Sequence, residues 1–328
     1  MARLSMAPVD RPAFFAPDFF GQDPTPWWAP TEFTSFSSAQ LKQHWPELAG
    51  SSVKGSDWVW QEPEPQIFNQ EIKEILNAIT SGQLRKAVPI VMSPSDRLPS
   101  LEEKMKWWAQ TFLVPSRWIA YGGWWQDEGL MGLSPEILFS TQTGWTETMA
   151  LAGTAPNPGP PLLESEKDLH EHQLVVQDIT RQLSQLGEVK STPTREWALG
   201  KLKHLRTDLS VEAGADFMQL VRLLHPTAAL GVAPRQAGLG ILQKSAYASK
   251  RRRFGAPFGV SLPGEMGLCC VAIRGLQWHE GKTWLSSGCG VVAGSDPARE
   301  WQELNLKRSV VAEQFGLKTN PMFHQEAF

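Results

Sequence analysis

Strand patterns in this chain come in consecutive groups, with helical patterns between the groups rather than after every strand. "RWIAYGGWW" (117–125), "GLMGLSPEILFST" (129–141) and "GWTETMALAGTA" (144–155) follow one another across glycine-containing turns. "FGAPFGVSLP" (254–263), "LCCVAIRGLQW" (268–278) and "TWLSSGCGVVAG" (283–294) form a second group. Parallel neighbours need long crossovers, usually a helix each, whereas strands joined by short turns pair antiparallel. The order therefore predicts an α+β fold with largely antiparallel sheets and helices outside them, not a doubly wound sheet. "LRKAVPIVMS" (84–93) reads as a further strand, and Pro89 places it at an edge or a bulge.

Helical spacing is clearest at 68–83, where Phe68, Ile72, Ile75, Leu76 and Ile79 share a face. Further helical patterns occupy 101–113, 162–187 (closed by Gly187), 216–225 and 234–247, and a last one starts near Pro297. Residues 1–65, rich in Pro, Ser, Phe and Trp, read as an irregular or partly stranded lead-in.

The 328 residues are 41% hydrophobic and 20% charged, a globular composition. A net charge of -3 argues against a nucleic-acid surface. The one basic cluster, Lys250–Arg253, reads as a solvated loop, with a contact to an anionic substrate as second reading. Three cysteines give no disulfide framework and no zinc spacing, and Cys269 and Cys270 fall in an apolar run that buries them. The fifteen tryptophans are expected to fill cores. "MARLSMAPVDRPAFF" lacks a secretory apolar stretch, and no run approaches the roughly 20 apolar residues of a membrane span. A cytoplasmic protein with no membrane partner is the expectation. Neither a Walker A motif nor G-x-G-x-x-G occurs, so no nucleotide cofactor is indicated.

In "VVAGSDPAREWQELNLK" (291–307), Glu300, Glu303 and Lys307 share one helix face, with Ser295 or Asp296 as cap and Pro297 in the first turn. That face reads as a solvated surface with an ion pair, or as a holder of a metal or charged substrate; the stretch alone favours the former. Asp168 and Glu171, also three apart, put a second acidic pair on a second helix and strengthen the metal reading. Oxygen ligands without cysteine suit magnesium. His170 and His172 are two apart, splay to different faces, and read as ordinary surface or capping residues. Lys86 and Glu136 each interrupt an apolar strand pattern. A lysine facing a cavity can serve as a base, and a glutamate in apolar surroundings as an acid. Each alone reads more readily as a paired or edge-exposed residue.

Seven stretches in order, "KAVPIV", "GLSPEILFS", "ALAGTAP", "EKDLHEHQLVVQDI", "LLHPTAALGVAPR", "VAIRG" and "GCGVVAGSDPAREWQELNLK", give the chain a resemblance to the chorismate-utilising enzymes. It covers about residues 66–317 and is nearest to the isochorismate synthases, through "HPTAALGVAPR" and "GCGVVAGSDPAREWQE". The resemblance implies a catalytic unit over 66–328 with two packed sheets, and a magnesium ion between protein carboxylates and the ring carboxylate of chorismate. It implies Glu171 and Glu303 as metal ligands, with Asp168 and Glu300 holding metal waters. Lys307 would lie near the substrate carboxylate, and Arg274 would grip the pyruvyl carboxylate with the amides of Gly288 and Gly290. Ala152, Gly153, Thr154, Ala229 and Leu230 would complete the substrate pocket. Lys86 would deprotonate the attacking water and Glu136 would protonate the departing hydroxyl.

Relatives that use ammonia typically have Gln where Lys86 stands, and aminodeoxychorismate synthases usually carry a lysine nucleophile in place of Ala152. The resemblance thus implies isochorismate formation, for menaquinone or siderophore biosynthesis, by a monomer without a glutamine amidotransferase subunit. A salicylate synthase and a non-catalytic chorismate-binding protein are the alternatives. Pro89, Val91 and Leu304 depart from the usual family residues, and the lead-in before Lys86 is short.

Overall fold

The computed structural model describes residues 2–44, 58–112, 117–264 and 266–317. Parts of the expected lead-in, Leu113 of the 101–113 helix, and the last residues of the 66–328 unit lie outside these. Two large sheets and one small sheet hold the described strands, and every pairing is antiparallel. The large sheet runs Ala2–Leu4, Trp27–Ala29, Ala13–Phe15, Pro257–Leu262, Met266–Val271, Ile137–Gln142, Trp145–Pro156, Leu202–Val211 and Val189–Ser191; Arg195–Leu199 also pairs with Leu202–Val211. The five-stranded sheet runs Ile90–Ser95, Lys282–Gly288, Gly275–His279, Glu128–Ser134 and Ile119–Trp125. In the small sheet Lys86–Ala87 lies between Val232–Ala233 and Val291–Val292.

Four stretches that read as single strands each change sheet partway. The first leaves the small sheet after Ala87 and enters the five-stranded sheet at Ile90, so Pro89 sits at the transfer, where its missing N–H costs no ladder bond. The second leaves the five-stranded sheet after Ser134 and enters the large one at Ile137. The third crosses the other way, from Val271 to Gly275, and the fourth leaves the five-stranded sheet after Gly288 and enters the small one at Val291. Strand pieces on both sides of each break are buried, so hydrophobic pattern alone runs through without interruption.

The two large sheets pack face to face. Tyr121 and Leu130 of one meet Cys270 of the other and Ala272 at the crossing that follows it. A larger core joins Ile90, Val91 and Met92 to Leu138, Phe139 and Ala150, and to Ile179 and Leu304 on the helices outside. Trp58, Trp60, Trp107, Trp278 and Phe315 form a second core. The helix Glu166–Leu183 lies on strands Trp145–Pro156 and Leu202–Val211, and the helix Pro297–Gln314 on Lys282–Gly288. No helix among the described residues is long and apolar enough to cross a membrane.

Four local expectations are corrected. The long helix starts at Glu166, after a separate 3-10 turn at Leu162–Glu164, and ends at Leu183, before Gly187. Ser165 is its cap: the Oγ accepts from the Asp168 N–H at 3.3 Å. The basic cluster is not a solvated loop. Arg251 is fully buried, stacks 3.3 Å from the Phe19 ring centroid and donates to the carbonyls of Leu230 and Phe254, while Arg253 donates to the Ala16 carbonyl. His172 is a core residue, bonded through Nε2 to Thr207 Oγ1 at 2.8 Å. Residues 189–211, for which no strand is expected from the sequence pattern, carry three.

Candidate active site

The charged residues gather where the small sheet meets the N-terminal turns of the two long helices. Lys86 occupies the central strand of that small sheet, opposite Ala233 on one side and Val292 on the other. Its side chain is 0% exposed, and Nζ lies 3.0 Å from Glu171 Oε1. The contact is not aligned as a hydrogen bond, so the Nζ has none. Asp296 caps the last helix by accepting the Arg299 N–H at 2.9 Å, with Pro297 in the first turn. Ser295, the other candidate cap, instead accepts the Val292 N–H.

The two acidic pairs face each other, and a lysine stands between them. Lys167 Nζ is 3.0 Å from Glu300 Oε1, 3.4 Å from Glu171 Oε2 and 3.7 Å from Asp168 Oδ1. Lys307 lies 2.5 Å from Glu303 Oε1 and donates to the Gly288 carbonyl at 2.8 Å. The face at Glu300, Glu303 and Lys307 therefore does hold an ion pair, but it is turned inward. Burial would raise Glu171, yet Lys86 and Lys167 hold it well below the usual carboxylate range. Glu300 is pushed up to about 7 by burial and by its neighbour Glu303, and its Oε2 has no hydrogen-bond partner. Burial lowers Lys167, but the carboxylates of Glu171, Glu303, Glu300 and Asp168 outweigh it and hold the ammonium charged. Among the described residues no three His, Cys, Asp or Glu side chains converge as a ready-made metal cage.

Glu136 and Arg274 sit at the two neighbouring places where the chain changes sheet. The Val271 N–H donates to the Glu136 carbonyl and the Leu133 N–H to the Arg274 carbonyl, each at 3.1 Å, so the crossings brace one another. Ser134 Oγ caps this corner by donating to the Val271 carbonyl at 2.7 Å. Arg274 takes φ 57°, a left-handed conformation unusual for a side chain of its size. Burial raises Glu136 to about 8, against the opposing charges of Lys86, Arg274 and Lys307, so it is a neutral acid near pH 7. Arg274 is pushed down to about 10 by burial, remains a cation, and keeps a buried Nε without a hydrogen-bond partner.

Two residues here were missed in the sequence. His204 reaches Arg274: its Nδ1 lies 2.9 Å from the Gly153 carbonyl and its Nε2 3.4 Å from Arg274 Nη2. A carbonyl only accepts, so Nδ1 carries the proton and Nε2 accepts from the guanidinium. Burial and the charge of Arg274 lower His204 to about 3, which keeps it neutral. Alternation at Leu205, Thr207, Leu209 and Val211 could have revealed its strand. The other is Lys167, which no periodicity separates from a surface lysine.

Among the remaining expected residues, Ala152, Gly153 and Thr154 lie on the strand beside His204, and Thr154 Oγ1 is 3.3 Å from His204 Nδ1. Gly290 abuts both Glu171 and Lys86, and a Cβ there would collide with Glu171 Oε1. Ala229 and Leu230 precede the strand that flanks Lys86, but they pack with the hydrophobic core.

Residues 33–316 match the chorismate binding enzyme family, and the chain belongs to it. Among curated relatives, a salicylate biosynthesis isochorismate synthase of Pseudomonas aeruginosa is 37% identical over 198 residues, covering 56% of this chain and 41% of the relative. Isochorismate synthase EntC of Escherichia coli is 33% identical over 202 residues, covering 57% and 51%. The chain thus spans about half the length of the curated relatives it matches. The solved structure of MenF, a menaquinone-specific isochorismate synthase from Escherichia coli, superposes with a TM-score of 0.76 at 21% identity, covering 94% of this chain and 79% of the other, a likeness of fold.

Proposed function

We propose that this chain is an isochorismate synthase that takes chorismate to isochorismate with magnesium. The observation that carries the reading is the buried Glu136 at a sheet crossing braced against the crossing that holds Arg274; burial there raises its carboxyl to about 8. A hydroxyl leaves a ring readily only with a proton, and Glu136 holds one near pH 7. Water attacks one ring carbon and gives its proton to Lys86 Nζ. The ring double bonds shift, and the hydroxyl departs from another carbon as water with the proton of Glu136. One water enters and one leaves, so the step is an isomerisation.

Arg274 presents an unpartnered buried Nε–H to a carboxylate, with His204 bracing the guanidinium from behind. Asp168, Glu171, Glu300 and Glu303 suit magnesium by donor type, and the orphaned Glu300 Oε2 is an acceptor awaiting a cation. When bound, magnesium would neutralise these carboxylates and polarise the ring carboxylate of the substrate. Lys86 acts as a base only as the free amine, so the reading requires that Glu171 be countered by a cation other than Lys86. Ala152 offers no nucleophile of its own, which leaves the attack to water.

Incubation with chorismate and magnesium, followed by separation of products, tests this. Isochorismate as main product is expected. Salicylate with pyruvate would favour the synthase that eliminates pyruvate, and an aminated product in the presence of ammonia would rule out selection of water. No turnover together with tight chorismate binding would identify a binding protein.

A further inference from the structure

We propose that Lys167 is an internal stand-in for the metal ion: in the metal-free protein its ammonium holds the facing carboxylates together, and magnesium enters by displacing it. This rests on reading the site as one that takes a cation. Three ammonium groups face the four carboxylates, but they are not equivalent. The Lys86 side chain is fully buried, and that of Lys307 is tied to Glu303 and to the Gly288 carbonyl. Lys167 is the most exposed of the three, at 26%, and it alone contacts both helices. Its Nζ lies within 3.0–3.7 Å of three of the four carboxylates, the place a shared cation would need.

Its position in the helix makes the arrangement conditional. Lys167 lies in the first turn, where the helix dipole disfavours a cation. Only the surrounding carboxylates keep the ammonium there. A divalent ion that counters them weakens that attraction, and the flexible four-carbon stem, already 26% exposed, is then free to turn toward solvent. The buried, unpartnered Glu300 Oε2 is the acceptor that Lys167 leaves unsatisfied. A lysine fixed for structure alone would exclude the metal instead of yielding to it.

The test compares the wild type with Lys167→Met, using magnesium chloride alone. Calorimetry should show magnesium bound at least about tenfold more tightly by the variant, since the competing cation is gone. The metal-free variant should melt roughly 2–4 °C lower than the wild type, and magnesium should restore it. In the wild type, the rate at which an amine-acylating reagent marks Lys167, mapped by mass spectrometry, should rise when magnesium binds. If the wild type binds magnesium but the variant binds it no more tightly, or Lys167 labelling stays constant, the stand-in role is overturned and the metal site stands. If neither protein binds magnesium and chelator leaves turnover intact, both readings are overturned.

Discussion

Gly290 and Glu171 share one space: the Glu171 carboxylate fills the volume that a side chain on Gly290 would need, and a Cβ there would also come within 2.8 Å of Lys86 Cε. Glycine is required here by close approach, since its φ is not in the left-handed region. Gly290→Ala must push Glu171 off its ion pair or shift the strand. We expect a stability loss of about 1–3 kcal/mol, the usual cost of overpacking. Turnover should fall more than the stability loss accounts for, and denaturant melts beside initial rates on the folded variant will tell the two apart.

Lys86→Ala and Glu136→Ala should each lower turnover at least about a hundredfold, in both reaction directions, because acid and base exchange roles in the reverse step. Chorismate affinity should change far less, since Arg274 and Lys307 remain. Wild-type rates in Lys86→Ala would remove the base from the scheme.

The acid should impose a pH limit. With Glu136 raised to about 8, its proton is present below that pH and lost above it, so the forward rate should decline as pH rises through about 8. Stability should follow the same group. The folded protein holds this proton up to about pH 8, whereas the unfolded chain releases it near 4.5. Between those values the native state binds more protons, so stability falls as pH rises. Glu136→Gln should flatten that slope in melts taken across the range.

Removal of magnesium by a chelator should abolish turnover, and Glu303→Gln should weaken the dependence on added metal. Rates measured against free magnesium decide the matter; full activity in excess chelator would refute the metal assignment.

Acid should destabilise the protein through its buried histidines. Burial, with neighbouring cations, lowers His172 to about 4 and His204 to about 3. Both are neutral when folded, while the unfolded chain takes up protons below 6.5. Their contribution is full above 6.5 and is lost as pH falls through about 4 and 3. His172→Gln should reduce the acid sensitivity between about pH 6.5 and 4, followed by melting curves against pH.

The antiparallel α+β layout was legible because short turns between strand patterns admit little else. The acidic faces were legible too, since helical spacing aligns Glu300 with Glu303 and Asp168 with Glu171. Sheet changes at Pro89, Glu136 and Arg274 were not, because apolar residues continue on both sides of each crossing. In the strand Leu202–Val211 only the second half alternates in burial; Lys203 and His204, polar yet buried, mask the first half. Charge misled at Arg251, whose guanidinium is satisfied by carbonyls that sequence does not reveal. Lys167 is invisible for a similar reason: what distinguishes it is a carboxylate 133 positions further along the chain.

The paired crossings at Glu136 and Arg274 tie the candidate site to the completion of both large sheets. Each residue belongs to neither sheet, and each is fixed only when both sheets are complete and the carbonyls at the two corners have found their amide partners. A fragment carrying one sheet would have strands and a core but no aligned acid and no oriented guanidinium. Turnover would therefore appear only at the end of folding, and its recovery after dilution from denaturant would lag behind the return of secondary structure.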